Sequence, residues 1–242
     1  MASKTALRKE VWQKLQKVAV PDSRYYMDFS NYIPDFEGSS ECVKRIREMD
    51  CWKQSAINFI TPDNCLAELR KWGVLDNKTQ LMTIHGLKGF QIWTRGDVPE
   101  GQEEFSSTLD GAQRFAKPIT LEEIRRLGRL DLVVTGASAV NLEGVRYGKG
   151  HGYFDLEWGL LSAIGVINSK TTMLTVVHDF QVVDRKFPVS AYDTITDYIV
   201  TPTRTLKVTT QKKRPKGIRW SSLRKEMLKD MPPLRELKKM EL

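Results

Sequence analysis

A single α/β domain built on a sheet with parallel strands is the fold class this sequence predicts. Strand-like and helix-like stretches alternate along most of the 242 residues, and such alternation implies parallel pairs joined by right-handed crossovers. Leu130-Asp131-Leu132-Val133-Val134 is a largely apolar run, the kind buried on both faces of a sheet. A glycine-rich loop then separates that run from a helix-like segment, which is where open α/β sheets bind their ligands.

The spacing predicts a first helix with Ser3 as N-cap and Leu7, Val11, Leu15 and Val18 on one face, opposite Lys4, Arg8, Lys14 and Lys17. Residues 20–40 hold Pro21, Pro34, Gly38 and several aromatics and read as an irregular connector. A helix is expected over 42–49, a strand over 55–60, a helix over 66–72 ended by Gly73, and a short strand over 80–84. From Gly86 to Pro118 the chain is rich in Gly, Ser, Asp and Glu, and only the piece Phe90-Gln91-Ile92-Trp93 is β-prone. Thr120-Leu121-Glu122-Glu123 has the capping-box pattern, with Gly128 placed to end its helix. A helix with few charges over 156–167 and strands over 173–177 and 198–200 complete the set.

Hydrophobic residues make up 40% and charged residues 28% of the chain, which argues against wholesale disorder. The longest weakly polar run, 158–167, is too short to cross a bilayer, and Met1-Ala2-Ser3-Lys4 lacks the apolar core of a signal peptide. A cytoplasmic protein with no membrane partner is the expectation. Cys42, Cys51 and Cys65 form no Cys-x-x-Cys pair, so buried reduced thiols are expected rather than disulfides or thiolate zinc. Between 204 and 242, thirteen Lys and Arg face four acids, a net of +9. The whole chain carries +8, so the first 203 residues are near neutral. Two segments follow: an α/β domain over 1–203 and a basic extension over 204–242, packed on or near it. Such an extension can grip phosphates or simply keep a protein soluble.

The most informative stretch is Gly144-Val145-Arg146-Tyr147-Gly148-Lys149-Gly150-His151-Gly152-Tyr153-Phe154-Asp155. Alternating glycines suit a ligand approaching the main chain, and bare N–H groups beside a helix N-terminus make a phosphate cradle. Arg146 and Lys149 add positive charge, and Asp155 can hold a divalent cation between phosphate oxygens. The same spacing by itself also suits a flexible surface loop. It is neither a Walker loop nor the dinucleotide fingerprint.

This run resembles the ATP-binding signature of 5-formyltetrahydrofolate cyclo-ligases. Lys4-Thr5-Ala6-Leu7-Arg8 is similar to the family's N-terminal block, and Phe187-Pro188, Asp193, Asp197 and Ile199-Val200-Thr201-Pro202 to its closing block. Val11-Trp12, the run from Val177 to Asp184, Arg214-Pro215-Lys216-Gly217-Ile218-Arg219-Trp220 and Pro233-Leu234-Arg235 resemble the methenyltetrahydrofolate-synthetase-domain-containing branch. The resemblance implies a three-layer α/β/α domain of the cyclo-ligase (NagB/RpiA/CoA-transferase-like) type, using ATP and Mg²⁺. It implies ATP contacts from Lys4, Arg8, Arg146, Gly148, Lys149, Gly150, His151, Gly152 and Tyr153, with Arg146 and Lys149 catalytic. Asp155 and Asp193 would hold the metal, and Asp63, Tyr153 and His178 would meet a reduced folate or a similar heterocycle. His178, at a strand end, also suits a histidine bonded to a loop carbonyl, and His85 reads as structural.

The chain departs from the family where folate is contacted. Thr61-Pro62-Asp63-Asn64 stands for a Glu-x-x-Thr piece, Val140-Asn141 for an aromatic-Asp pair, and the region of Lys117-Pro118 lacks a stacking Trp or Tyr. The implied reaction is closure of 5-formyltetrahydrofolate to 5,10-methenyltetrahydrofolate with release of ADP and phosphate. Ring closure on a non-folate, thiamin-related heterocycle is a second reading, and a nucleotide- or RNA-binding protein using the basic extension a third.

Overall fold

The computed structural model describes residues 3–210 and 212–240; Met1, Ala2, Gln211, Glu241 and Leu242, which belong to the two expected segments, lie outside them. The strands are β1 (Ile57–Ile60), β2 (Thr79–Ile84), β3 (Gly89–Trp93), β4 (Lys117–Ile119), β5 (Leu132–Gly136), β6 (Ala139–Asn141), β7 (Arg146–Tyr147), β8 (Thr172–Val176), β9 (Val182–Val183), β10 (Tyr198–Val200) and β11 (Thr205–Lys207). The α-helices are α1 (Lys4–Leu15), α2 (Ser39–Glu48), α3 (Asp50–Lys53), α4 (Ala67–Leu75), α5 (Glu103–Ser106), α6 (Leu109–Phe115), α7 (Leu121–Leu127), α8 (Tyr153–Ala163), α9 (Lys225–Asp230) and α10 (Pro232–Lys239).

Eight strands form one sheet in the order β11-β10-β8-β5-β1-β2-β3-β4. The pairs from β10 through β8, β5 and β1 to β2 are parallel, and β11, β3 and β4 pair antiparallel towards the edges. Side chains alternate across the sheet with the period of two that a strand imposes. Val133 joins Phe59, Leu81 and Met173 on the face covered by α7, α8 and α10. Leu132 and Val134 join Ile60 and Leu174 on the face covered by α2 and α4. The result is the expected three-layer α/β/α fold with a mostly parallel sheet. A second sheet, β7-β6-β9, is not hydrogen-bonded to the first but packs on it through Val140 and Ile199, and it supports α1 through Leu7 and Val11, which pack with Ala139, Val145 and Tyr147.

Several expectations shift by a turn for local reasons. The Ser3 hydroxyl caps α1 by accepting from the Ala6 N–H at 3.1 Å, but the helix stops at Leu15 and leaves Val18 outside. There the backbone turns to pair with 35–37, the Glu37 N–H donating to the Val18 carbonyl at 2.8 Å. Gly73 lies inside α4 rather than after it; a Cβ there would sit 2.0 Å from the Gln80 amide, so close packing explains the glycine. α8 starts three residues before the expected 156, because Gly152 at φ +75° supplies its N-cap. The Thr120–Glu123 capping box forms as expected, with Gly128 as C-cap. The β-prone piece Phe90–Trp93 forms β3, and the rest of the stretch after it, not ordered from sequence, holds α5, α6 and the start of β4.

The predicted boundary at 203/204 falls inside a hairpin, since β11 pairs with β10. The extension then carries Met231, Leu234 and Leu237 into the core beside α7 and α8. Pro232-Pro233 opens α10 at its first two positions, where the missing N–H costs nothing. Cys42 and Cys65 are buried, Cys51 is half-buried, and all three are free thiols. Burial raises the Cys42 thiol to about 12 and pushes Cys51 and Cys65 up as well, which leaves none suited to nucleophilic work at neutral pH. Among the described residues no helix is long and apolar enough to cross a membrane.

Candidate active site

Along the sheet the parallel strands run β2-β1-β5-β8-β10, so the chain leaves β1 in one direction and later returns past it to continue in the other. The crevice beyond the carboxyl ends of β1 and β5 is the switch point of such a sheet. Thr61 and Asp63 after β1, His85 after β2, and Thr135 and Gly136 at the end of β5 line it together with the glycine loop. The packed stripe of α1 fixes that helix so that Lys4 and Arg8, one turn apart, face the same cleft. Asp193 reaches it from the loop before β10.

Within the loop, Gly150 has φ +115° and Gly152 φ +75°, conformations that side chains of L-residues rarely adopt. The Arg8 Nε donates to the Gly148 carbonyl at 2.6 Å. Lys4 Nζ lies 2.8 and 3.0 Å from the two carboxylate oxygens of Asp193 and 4.8 Å above the Tyr147 ring. The Tyr147 hydroxyl donates to the Pro188 carbonyl; burial, and then the charge of Asp193, raise it to about 12. His151 sits 3.0 Å from the Ser30 carbonyl and stacks on Tyr153 with ring centroids 5.3 Å apart.

Arg146 is buried, donating to the Gly136 carbonyl at 3.3 Å and lying 3.8 Å from Asp155. Its Nε has no acceptor among the described residues. Asp155, in the first turn of α8, accepts from the backbone and hydroxyl of Thr194 at 3.1 and 2.8 Å. Burial raises its carboxyl, against the pull of Arg146. Burial likewise lowers Arg8. The arrangement fits a nucleotide-bound cation better than a free one. Among the described residues no three His, Cys, Asp or Glu converge as a metal cage, whereas Mg²⁺ commonly takes one or two carboxylates and completes its shell with phosphate oxygens and water.

Of the residues named from sequence, His178 does not line this cleft. Its Nδ1 accepts from the Phe180 N–H at 3.1 Å, and its ring packs edge-on against Phe36 at 5.7 Å, so it caps the turn that leads into β9. Asp63 does line the cleft, but its Oδ2 accepts from Thr61 Oγ1 at 2.6 Å and from the Gly136 N–H at 2.8 Å. His85, read as structural, stands on the cleft wall, stacked against Tyr25 at 6.5 Å. Burial, and then the charge of Lys149, lower its imidazole. Sequence reading missed Glu157, a carboxyl from α8 that is only 4% exposed and lines the cleft. Burial, with the charge of Asp63 adding to it, raises Glu157 to about 7 against the pull of Lys149, Arg146 and the Thr83 hydroxyl. Its signal was a lone acid inside the apolar run Leu156-Glu157-Trp158-Gly159-Leu160-Leu161.

The same fold occurs in the 5,10-methenyltetrahydrofolate synthetase of Aquifex aeolicus, with a TM-score of 0.53 at 17% identity, over 91% of this chain and 99% of that one. It occurs again in the 5,10-methenyltetrahydrofolate synthetase of Mycoplasma pneumoniae, with a TM-score of 0.50 at 11% identity, over 82% and 98%. In sequence, the chain is 30% identical to a methenyltetrahydrofolate synthase domain-containing protein of Danio rerio, over 99% of this chain. It is 31% identical to the Homo sapiens protein of that name, over 98% of this chain. It spans 62% and 61% of the lengths of those two relatives. Because residues 1–202 match the family as a whole, from the lysine and arginine of α1 through the glycine loop to the end of β10, the chain belongs to the 5-formyltetrahydrofolate cyclo-ligase family.

Proposed function

We propose that this chain is an ATP- and Mg²⁺-dependent cyclo-ligase that converts 5-formyltetrahydrofolate to 5,10-methenyltetrahydrofolate, releasing ADP and phosphate. The observation that carries the reading is the convergence of Lys4, Arg8, Arg146 and Lys149 with Asp155 and Asp193 on one cleft, around a loop with two positive-φ glycines. Phosphoryl transfer asks for positioning and charge neutralisation more than for a protein nucleophile, and the three buried or half-buried thiols fit that demand by standing apart.

Arg146 and Lys149 neutralise the transferring phosphoryl group. Lys4 and Arg8 hold the rest of the phosphate chain, and the N–H groups of Gly148, Gly150 and Gly152 donate to it. His151 and Tyr153 border nucleotide and substrate. When bound, Mg²⁺ supplies charge neutralisation on phosphate oxygens, with Asp155 and Asp193 as its protein ligands. The formyl oxygen of the folate accepts the γ-phosphoryl group, the second ring-forming nitrogen attacks the formyl carbon, and phosphate leaves as the ring closes. Mixing the protein with Mg-ATP and 5-formyltetrahydrofolate should raise the absorbance of the methenyl product with one ADP per ring closed. Absence of that product in a folded protein that binds Mg-ATP would exclude the folate. The second reading, a non-folate heterocycle, is favoured by one observation: Asp63 stands where the family places its folate-contacting glutamate, and its carboxylate is already engaged within the protein.

A further inference from the structure

Four carboxyl groups line the cleft: Asp63, Asp155, Glu157 and Asp193. Three of them are engaged. Asp63 binds the Gly136 N–H and the Thr61 hydroxyl, Asp155 binds Thr194 and faces Arg146, and Asp193 is held by Lys4 and by the Ser190 N–H at 2.7 Å. Glu157, 4% exposed, has no salt-bridge partner among the described residues. Beside it lies the buried Thr83 hydroxyl, which faces this carboxyl from β2. Buried polar groups in folded proteins are generally satisfied, and a site whose own groups wait for a partner rejects molecules that cannot supply one.

Its place on α8 says which part of a bound pair it meets. Asp155 and Glu157 are two residues apart, about 200° around the helix. α8 therefore sends Asp155, from its first turn, towards the cations of the glycine loop, and Glu157, from its second, towards β2 and the floor of the cleft. A carboxylate on that floor repels phosphate and attracts N–H donors.

We infer that Glu157 is the specificity residue for the substrate ring, accepting two adjacent N–H donors from an aminopyrimidinone edge of the kind a pteridine presents. The inference rests on the cyclo-ligase reading for the identity of the ring, and it moves ring recognition from the end of β1, where Asp63 is spent on the fold, to the second turn of α8. Tyr153 stacked on His151, and His85 stacked on Tyr25, border the cleft with flat surfaces suited to a planar ring.

The test uses the full chain and 6-methyltetrahydropterin, which carries the aminopyrimidinone but neither formyl group nor glutamate tail. Calorimetry should show it binding the wild-type protein, binding about tenfold or more weakly to Glu157→Gln, and more weakly still to Glu157→Ala. Both variants should bind Mg-ATP at least as tightly as the wild type, which also reports that they are folded. A 2-desamino analogue should bind the wild type weakly and be indifferent to Glu157→Gln. Equal pterin affinity in wild type and Glu157→Gln, or no pterin binding to a wild-type protein that binds Mg-ATP, overturns the inference. Failure of the cyclo-ligase reading shows separately, as pterin binding lost on substitution in a protein that forms no methenyl product.

Discussion

At the scale of single residues, the chain spends polar groups on the connector 20–36 that the cleft then uses. Asp22 is buried and accepts from the Arg24 N–H at 2.7 Å, the Tyr25 N–H at 3.1 Å and the Asn64 amide at 2.8 Å. It thereby ties Tyr25, the neighbour of His85, to the residue after Asp63. Burial alone would raise its carboxyl, but these donors and the Arg24 side chain hold it at about 2, against an ordinary value of 3.8. A depressed carboxylate stabilises the fold above its unfolded pKa, and that contribution fades as pH falls through the folded value. The stabilisation is on the order of 1–2 kcal/mol near neutral pH. Asp22→Asn should therefore melt below the wild type at pH 7, and the gap should shrink towards pH 2. Melting curves with the same gap at both pH values would show that charge is not what Asp22 contributes. None of this was legible in the sequence, where Asp22 is one acid in a proline- and aromatic-rich stretch and its partner Asn64 is forty-two residues away.

At the scale of elements, what was legible is what local chemistry decides. The Ser3 cap, the Thr120–Glu123 box and the position of β10 all follow from short-range pattern, as does the run that became β5. The strands β6, β7 and β9 have two or three residues each and no period of their own; pairing across the fold makes them. Gly73 shows the other failure, in which a residue type that ends helices is instead required by a neighbour. Two effects of opposite sign meet there. Replacing a mid-helix glycine by alanine gains about 1 kcal/mol of helix propensity, while forcing a methyl group into a filled space costs roughly 1–3 kcal/mol. A Cβ would lie 2.0 Å from Gln80 Nε2 and 2.5 Å from its Cδ, and because Gln80 is itself fully buried its amide has no solvent to swing into, so overpacking wins and Gly73→Ala should destabilise. In a Gln80→Ala background the space is free, and the same change should become neutral or stabilising. Denaturant titrations of the four proteins in this cycle measure the coupling, and a Gly73→Ala cost that survives in the Gln80→Ala background would refute the packing account.

At the scale of the whole molecule, charge and hydrophobicity gave opposite impressions of the C-terminal segment. Nine basic residues and no acids between 204 and 225 look like an arm for phosphates, and the sheet and the core together claim much of what surrounds them. β11 closes the sheet edge on β10, and Arg214 donates to the Ile195 carbonyl at 2.8 Å and pairs with Asp197. The Trp158 indole donates to the Pro215 carbonyl at 2.9 Å. Ile218 lies so close to Gly159 of α8 that a Cβ there would come within 2.6 Å of it. Of the apolar residues that lie among or just after these charges, Leu223 and Met227 pack against the core, while Trp220 is 41% exposed. Beyond it Met231, Leu234 and Leu237 are buried beside α7 and α8. Side chains of this kind contribute about 1.5–3 kcal/mol each when fully buried, and a domain's whole stability is only about 5–15 kcal/mol. Truncation after Thr203 removes all three together with β11 and bares the α7–α8 face. The truncated protein should therefore lose its cooperative melting transition or melt far below the full chain, and Mg-ATP binding should fall with it because α8 bears Asp155 and follows the glycine loop. A truncated chain that keeps the melting temperature and Mg-ATP affinity of the full one, while losing salt-sensitive binding to single-stranded RNA, would show that the segment is an arm after all.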